Sequence, residues 1–97
     1  MIFYHLDKAG YDIPAWIGRH VDRVEMVHFK DGKNGLPVPA GQGTVRYEGV
    51  VRACLQANVS YGFVEQESWD RDPFVCIGEA LDWLRGELSV QGREPEV

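Results

Sequence analysis

Apolar residues along this chain recur at two periods, and the two alternate from one end to the other. The clearest stretch is residues 24–31, V-E-M-V-H-F-K-D. Side chains of a strand alternate between faces, which places Val24, Met26 and His28 on one side and Glu25, Val27 and Phe29 on the other. Both sides are mostly apolar, the pattern of a parallel strand covered on each face. The spacing predicts a strand near 24–29. Two more apolar runs of strand length flank it, I-F-Y-H-L near 2–6 and Y-G-F-V-E near 61–65.

Between them the period lengthens to that of a helix. Asp12 as cap and Pro14 in the first turn introduce Ile13, Trp16, Ile17 and Val21, a helix near 12–21. Tyr47, Val50, Val51, Cys54 and Leu55 give an amphipathic stripe near 45–57, with Thr44 as its expected cap and Asn58 as its end. Asp72 and Pro73 open a last helix near 73–88, with Phe74, Ile77, Leu81, Leu84 and Leu88 as its expected buried stripe and Trp83 beside it. The residues after Gly92 read as a frayed tail. Strand and helix thus alternate three times, an α/β pattern that implies a parallel sheet with right-handed crossovers.

One connection is long. Residues 32–43, G-K-N-G-L-P-V-P-A-G-Q-G, carry no periodicity, and unstructured loops of about a dozen residues are mostly functional or disordered. Its position after a histidine-bearing strand end favours function. Its glycines match neither a phosphate loop nor a dinucleotide fingerprint.

Composition narrows the classes. The 97 residues are 44% hydrophobic and 26% charged, ordinary for a single globular unit spanning 1–97. A net charge of -5 with scattered Lys and Arg argues against nucleic acid as a partner. There is no apolar run of membrane-spanning length and no signal-like start, so a cytoplasmic chain with no membrane partner is expected. Cys54 and Cys76 lack metal or redox spacing and read as buried free thiols.

The candidate chemistry sits at strand ends. His28 reads either as a core-edge histidine bonded to a carbonyl or as a group in a site, because α/β folds keep ligands at the C-terminal edge of their strands. Glu65 shares a strand face with Tyr61 and Phe63 and ends its strand as His28 ends its own. A carboxylate there needs a partner, a proton or a metal unless it reaches water. His20 reads as a helix C-terminal residue that complements the dipole.

Taken in order, D-R-V-E-M-V-H-F-K-D, P-V-P-A-G-Q-G, Y-G-F-V-E-Q-E and D-P-F with its closing helix resemble the C-terminal part of the sugar phosphate isomerase/epimerase family, the xylose isomerase-like TIM barrels. The resemblance covers residues 12–88. It implies a partial (β/α)8 barrel whose last three strands are present, and a divalent metal, Mn, Mg or Co, held by two Glu, one Asp and one His. His28 and Glu65 match the family's histidine and final glutamate. Glu65 would be both ligand and acid/base in a proton transfer through an enediolate. Lys30, His5 and the 35–43 loop would contact a sugar or sugar phosphate.

Two members of that set are out of place. Aligned without gaps, the family's aspartate falls at Ile2 and its aromatic or histidine at His5; Asp7 can serve as a ligand only in a shifted register. The first glutamate has no counterpart, and Gln42 stands where a glutamate is common. A full barrel takes about 250 residues, so the expectation is a fragment that is inactive alone. The alternatives are a non-catalytic remnant or interaction module that pairs through open sheet edges, and, among enzymes, an inosose dehydratase-like lyase. The DNA-repair endonucleases of the superfamily need more histidines than His5, His20 and His28.

Overall fold

The computed structural model describes residues 1–59, 61–69 and 71–92. Its elements run α1 (Phe3–Lys8), α2 (Ile13–Arg19), β1 (Met26–Phe29), β2 (Asp31–Lys33), β3 (Leu36–Val38), α3 (Val50–Gln56), β4 (Tyr61–Val64) and α4 (Pro73–Val90). β1 and β4 pair in parallel, with Met26 opposite Tyr61 and His28 opposite Phe63. The crossover between them contains α3, as a parallel connection requires.

The expected strand at 2–6 is a correction. Those residues form helix α1, and only Ile2 keeps strand pairing, through a single parallel bridge to His28. Leu6 N–H already donates back to Ile2 C=O, so the helical ladder takes over one residue after the bridge. Phe3 is fully buried from this position. It meets Phe29 edge-on at 5.2 Å between centroids, and the aromatic series continues through Tyr47 to Trp83, 4.8 Å apart.

Apart from Thr44, the caps fall where the sequence puts them. The Asp12 carboxylate accepts from Ala15 N–H at 3.1 Å, and that of Asp72 from Phe74 N–H at 2.8 Å. His20 is the C-cap of α2; its Nδ1 lies 2.8 Å from Trp16 C=O, and its ring stacks on Trp16. Asn58 closes α3 in the left-handed region, φ 55°. Cys54 and Cys76 are free and buried, and burial pushes the Cys54 thiol up to about 12.

One helix boundary and one stripe position differ from expectation. Residues 45–49 are not helical, because Val45 N–H is drawn to the Asp31 carboxylate and the Thr44 hydroxyl donates to Gly32 C=O instead of capping. The helix starts only after Gly49. In α4 Leu84 and Leu88 pack against the core as expected and Leu81 lines the cavity beside them; the most buried positions are Cys76 and Ala80, and Phe74 is the member that departs, 88% exposed. Trp83 fixes the rotation of the helix by lying against the Gly41 backbone, where an added Cβ would come within 2.6 Å of the indole.

Helices α3 and α4 lie on the β1/β4 face that presents Val27, Phe29 and Gly62, and the layers leave an apolar cavity of about 230 Å³ between them. The other face is open. Met26, Tyr61 and Phe63 are 47%, 63% and 47% exposed there, so the double cover expected from an apolar pattern exists on one side of the described sheet.

Candidate functional site

His28 and Glu65 meet on the open face. The parallel register sets Glu65 two residues beyond the partner of His28, and the side chains lie diagonally, His28 Nδ1 3.0 Å from Glu65 Oε2. Both are about one-third exposed. Oε2 itself is buried and receives no well-directed hydrogen bond, so His28 satisfies it only as a charge contact, when the ring is protonated. An oxygen left this way is a ready acceptor or ligand. Phe63 flanks the pair, 5.5 Å from the imidazole centroid.

Lys30 follows His28 at the same strand end and is 5% exposed. Its ammonium bonds Glu67 Oε1 at 2.8 Å and lies 5.6 Å from the centre of the Tyr4 ring. The Lys30 carbonyl accepts from the Tyr47 hydroxyl at 2.7 Å. That hydroxyl stays protonated, because burial, and after it the charge of Asp31, pushes the phenol far up. The Glu67 carboxyl is held below the usual range, first by the hydrogen bond from Lys30 and then by its charge, with a smaller effect of His5. His5 itself is exposed on α1.

Asp31 was absent from the sequence-derived set, and it is the group that shapes the rim. It is fully buried. Its Oδ1 accepts from Gly32 N–H at 2.9 Å and Val45 N–H at 3.0 Å; Oδ2 accepts from Gly41 N–H at 3.2 Å and Gly43 N–H at 3.0 Å. Four charge-assisted bonds offset the cost of burying the carboxylate. The long connection expected to be irregular is therefore built: β2 and β3 form an antiparallel hairpin, turned at Asn34 and Gly35 with φ 54° and 78°. Gln42 ties its far end to Glu79 of α4 at 2.7 Å. The signal in sequence was a buried-strand aspartate followed by glycines whose N–H groups can approach it closely.

Asp7 lies on α1, away from a strand end. It lines a polar cavity of about 560 Å³ with Tyr11, Asp12, Arg46 and Glu48. The neighbour of His28 in the sheet is Ile2, and bridged residues present their side chains to the same face. Among the described residues no three His, Cys, Asp or Glu side chains gather as a metal set. His28 and Glu65 supply one nitrogen and one carboxylate, and an isoleucine occupies the adjacent place, so this chain's own residues do not fit the four-ligand centre that the resemblance implies.

These features define an α/β chain with a parallel sheet and one-sided helical cover, compatible with part of a barrel. Among curated proteins it is similar to the one named "Putative L-ribulose-5-phosphate 3-epimerase SgbU" from Escherichia coli (strain K12), at 25% identity over 99 residues, 91% of this chain and 34% of that protein. The chain spans about one-third of the length of the curated relative it matches. No family model matches it, and no solved structure does. The likeness supports a distant relationship of the sugar phosphate epimerase kind. Among the described residues no helix is long and apolar enough to cross a membrane.

Proposed function

We propose that this chain is a sugar phosphate isomerase/epimerase-like barrel segment that carries part of a sugar site and does not turn substrate over by itself. The observation that carries the reading is the sheet row Ile2, His28, Phe63 with Glu65 at its end. Imidazole and carboxylate share the strand edge where such barrels act, and isoleucine stands where a third ligand belongs. A fully liganded divalent ion of the Mn, Mg or Co kind would polarise the carbonyl and hydroxyl oxygens of a sugar. With two donors this chain holds such an ion weakly. Glu65 would move a proton at the carbon beside a carbonyl, and a single carboxylate serves only one side of that exchange.

The test is manganese binding, read from the paramagnetic resonance signal of the free ion. The unaltered chain should bind weakly, and Ile2→Asp should raise affinity by about tenfold or more, a gain of one oxygen ligand worth roughly 1.4 kcal/mol. Adding His28→Ala to Ile2→Asp should remove the gain. Tight binding by the unaltered chain, or epimerisation of ribulose 5-phosphate by it at the rate of a complete enzyme, would sink the reading.

A second reading, a non-catalytic module that pairs with its own copies, is favoured by one observation: Met26, Tyr61 and Phe63 stand exposed on a single sheet face, and β4 is paired only with β1 among the described residues. Open edges and apolar faces promote association. Sedimentation equilibrium should then show dimers at micromolar concentration that Phe63→Lys dissociates. A monomer at every concentration would exclude it.

A further inference from the structure

We propose that the apolar cavity beneath α3 and α4 binds a small amphiphilic carboxylate, its hydrocarbon body of about eight carbons inside and its acid group held by Arg85 at the mouth. The site lies on the helix-covered face of the sheet, opposite His28 and Glu65, and is independent of the sugar phosphate reading.

The space measures about 230 Å³. Close-packed interiors seldom keep a void larger than a water molecule, and an apolar cavity of about 150 Å³ stays dry and admits benzene. On that scale this one takes about eight carbons. Its floor is deep: Val27, Phe29, Val51 and Cys54 line it and all are buried. Burial pushes the Cys54 thiol up to about 12, so at neutral pH it is an uncharged, polarisable surface that does not repel an anion. Hydrocarbon gains from such a floor, whereas a hydroxyl-rich molecule would give up water there for no hydrogen bond.

The other end is open and charged. Gly62 pairs with Val27 on the same sheet face, yet Val27 is 1% exposed and Gly62 is exposed, so the cavity opens to solvent on the β4 side. There α4 packs beside β4. Among the described residues that line the cavity, Arg85 of that helix is the charged one. Its guanidinium lies 3.6 Å from the Asp82 carboxylate, too far for a hydrogen bond, and the two side chains are 40% and 80% exposed. A pair of this kind is weak, so Arg85 can turn to an acid at the mouth and leave Asp82 to water. Its planar fork matches both oxygens of one carboxylate. A single cation at the rim of an apolar space selects a monoanion with a hydrocarbon body.

The experiment is titration of the full chain with octanoate, followed by methyl and amide shifts in nuclear magnetic resonance. Shifts should centre on Val51 and Leu84. Affinity should rise about fourfold per methylene from butanoate to octanoate and level off beyond, where the space is full. Arg85→Gln should weaken octanoate by about tenfold and leave octanol unchanged. In Cys54→Met the longer side chain enters the floor, and the gain should stop at a shorter acid. No binding at millimolar octanoate, equal binding by Arg85→Gln, or shifts confined to Met26 and Phe63 on the open sheet face would each overturn the proposal, and so would an unchanged chain-length limit in Cys54→Met. Arg85 is half-exposed, so its arm of the test stands even if Cys54→Met fails to fold.

Discussion

Asp31→Ala should lower the stability of this chain by about 4 kcal/mol or more, enough to unfold much of it at 25 °C. The substitution leaves four N–H donors of the rim without their acceptor, and each buried donor so abandoned costs about 1–3 kcal/mol. Domains of this size have roughly 5–15 kcal/mol in total. Asp31→Asn tests the charge separately. Its single carbonyl oxygen can serve Gly32 and Val45, while its amide would turn donors against Gly41 and Gly43, so it should lose about half as much. Urea denaturation followed by circular dichroism gives both values, and a loss under 1 kcal/mol for Asp31→Ala would show that the carboxylate does not hold the loop.

Gly43→Ala should cost about 2–4 kcal/mol, near the upper end of what overpacking causes. The added Cβ would run into the Asp31 carboxylate and the Gly32 carbonyl, and the latter is backbone that cannot swing aside. Since the clash and the lost hydrogen bonds share one partner, the penalties should not add. Asp31→Asn with Gly43→Ala together should fall short of the sum by about 1 kcal/mol or more, as for residues in one network. Additive losses in the same urea series would separate the two sites.

Every cap but Thr44 was legible because it rests on local spacing. Asp12 with Pro14, Asp72 with Pro73, and Asn58 after α3 act within a few residues of themselves. Strand parity groups His28 with Met26 and Glu65 with Tyr61 and Phe63, but the two sets share a face only through the register of β1 with β4, and the sequence brought them together by resemblance alone. What failed depended on partners distant in sequence. Residues 2–6 have a strand's composition, yet whether Phe3 continues a strand or turns into a helix was decided by the aromatic core it meets. The stripe of α4 held at Leu81, Leu84 and Leu88 and failed at Phe74, which stands outside at the start of the helix. The loop after Asp31 held a readable sign, since Asn-Gly between two short extended runs favours a hairpin of the kind seen at Asn34 and Gly35. Its prolines and lack of alternation hid that sign. The roles of Asp31 and Glu67 went unread, because burial and pairing across about 10 or more residues leave no periodic trace.

The bridge at the amino end bears on how this molecule can be handled. His28 N–H donates to Met1 C=O at 2.7 Å, and the terminal ammonium reaches Met26 C=O at 3.4 Å. Met1 and Ile2 thus lie along β1 in parallel direction, joined by one bridge. A fusion there replaces the terminal ammonium that reaches Met26 C=O with an amide, so its effect on β1 is read by comparing the stability of tagged and untagged chains.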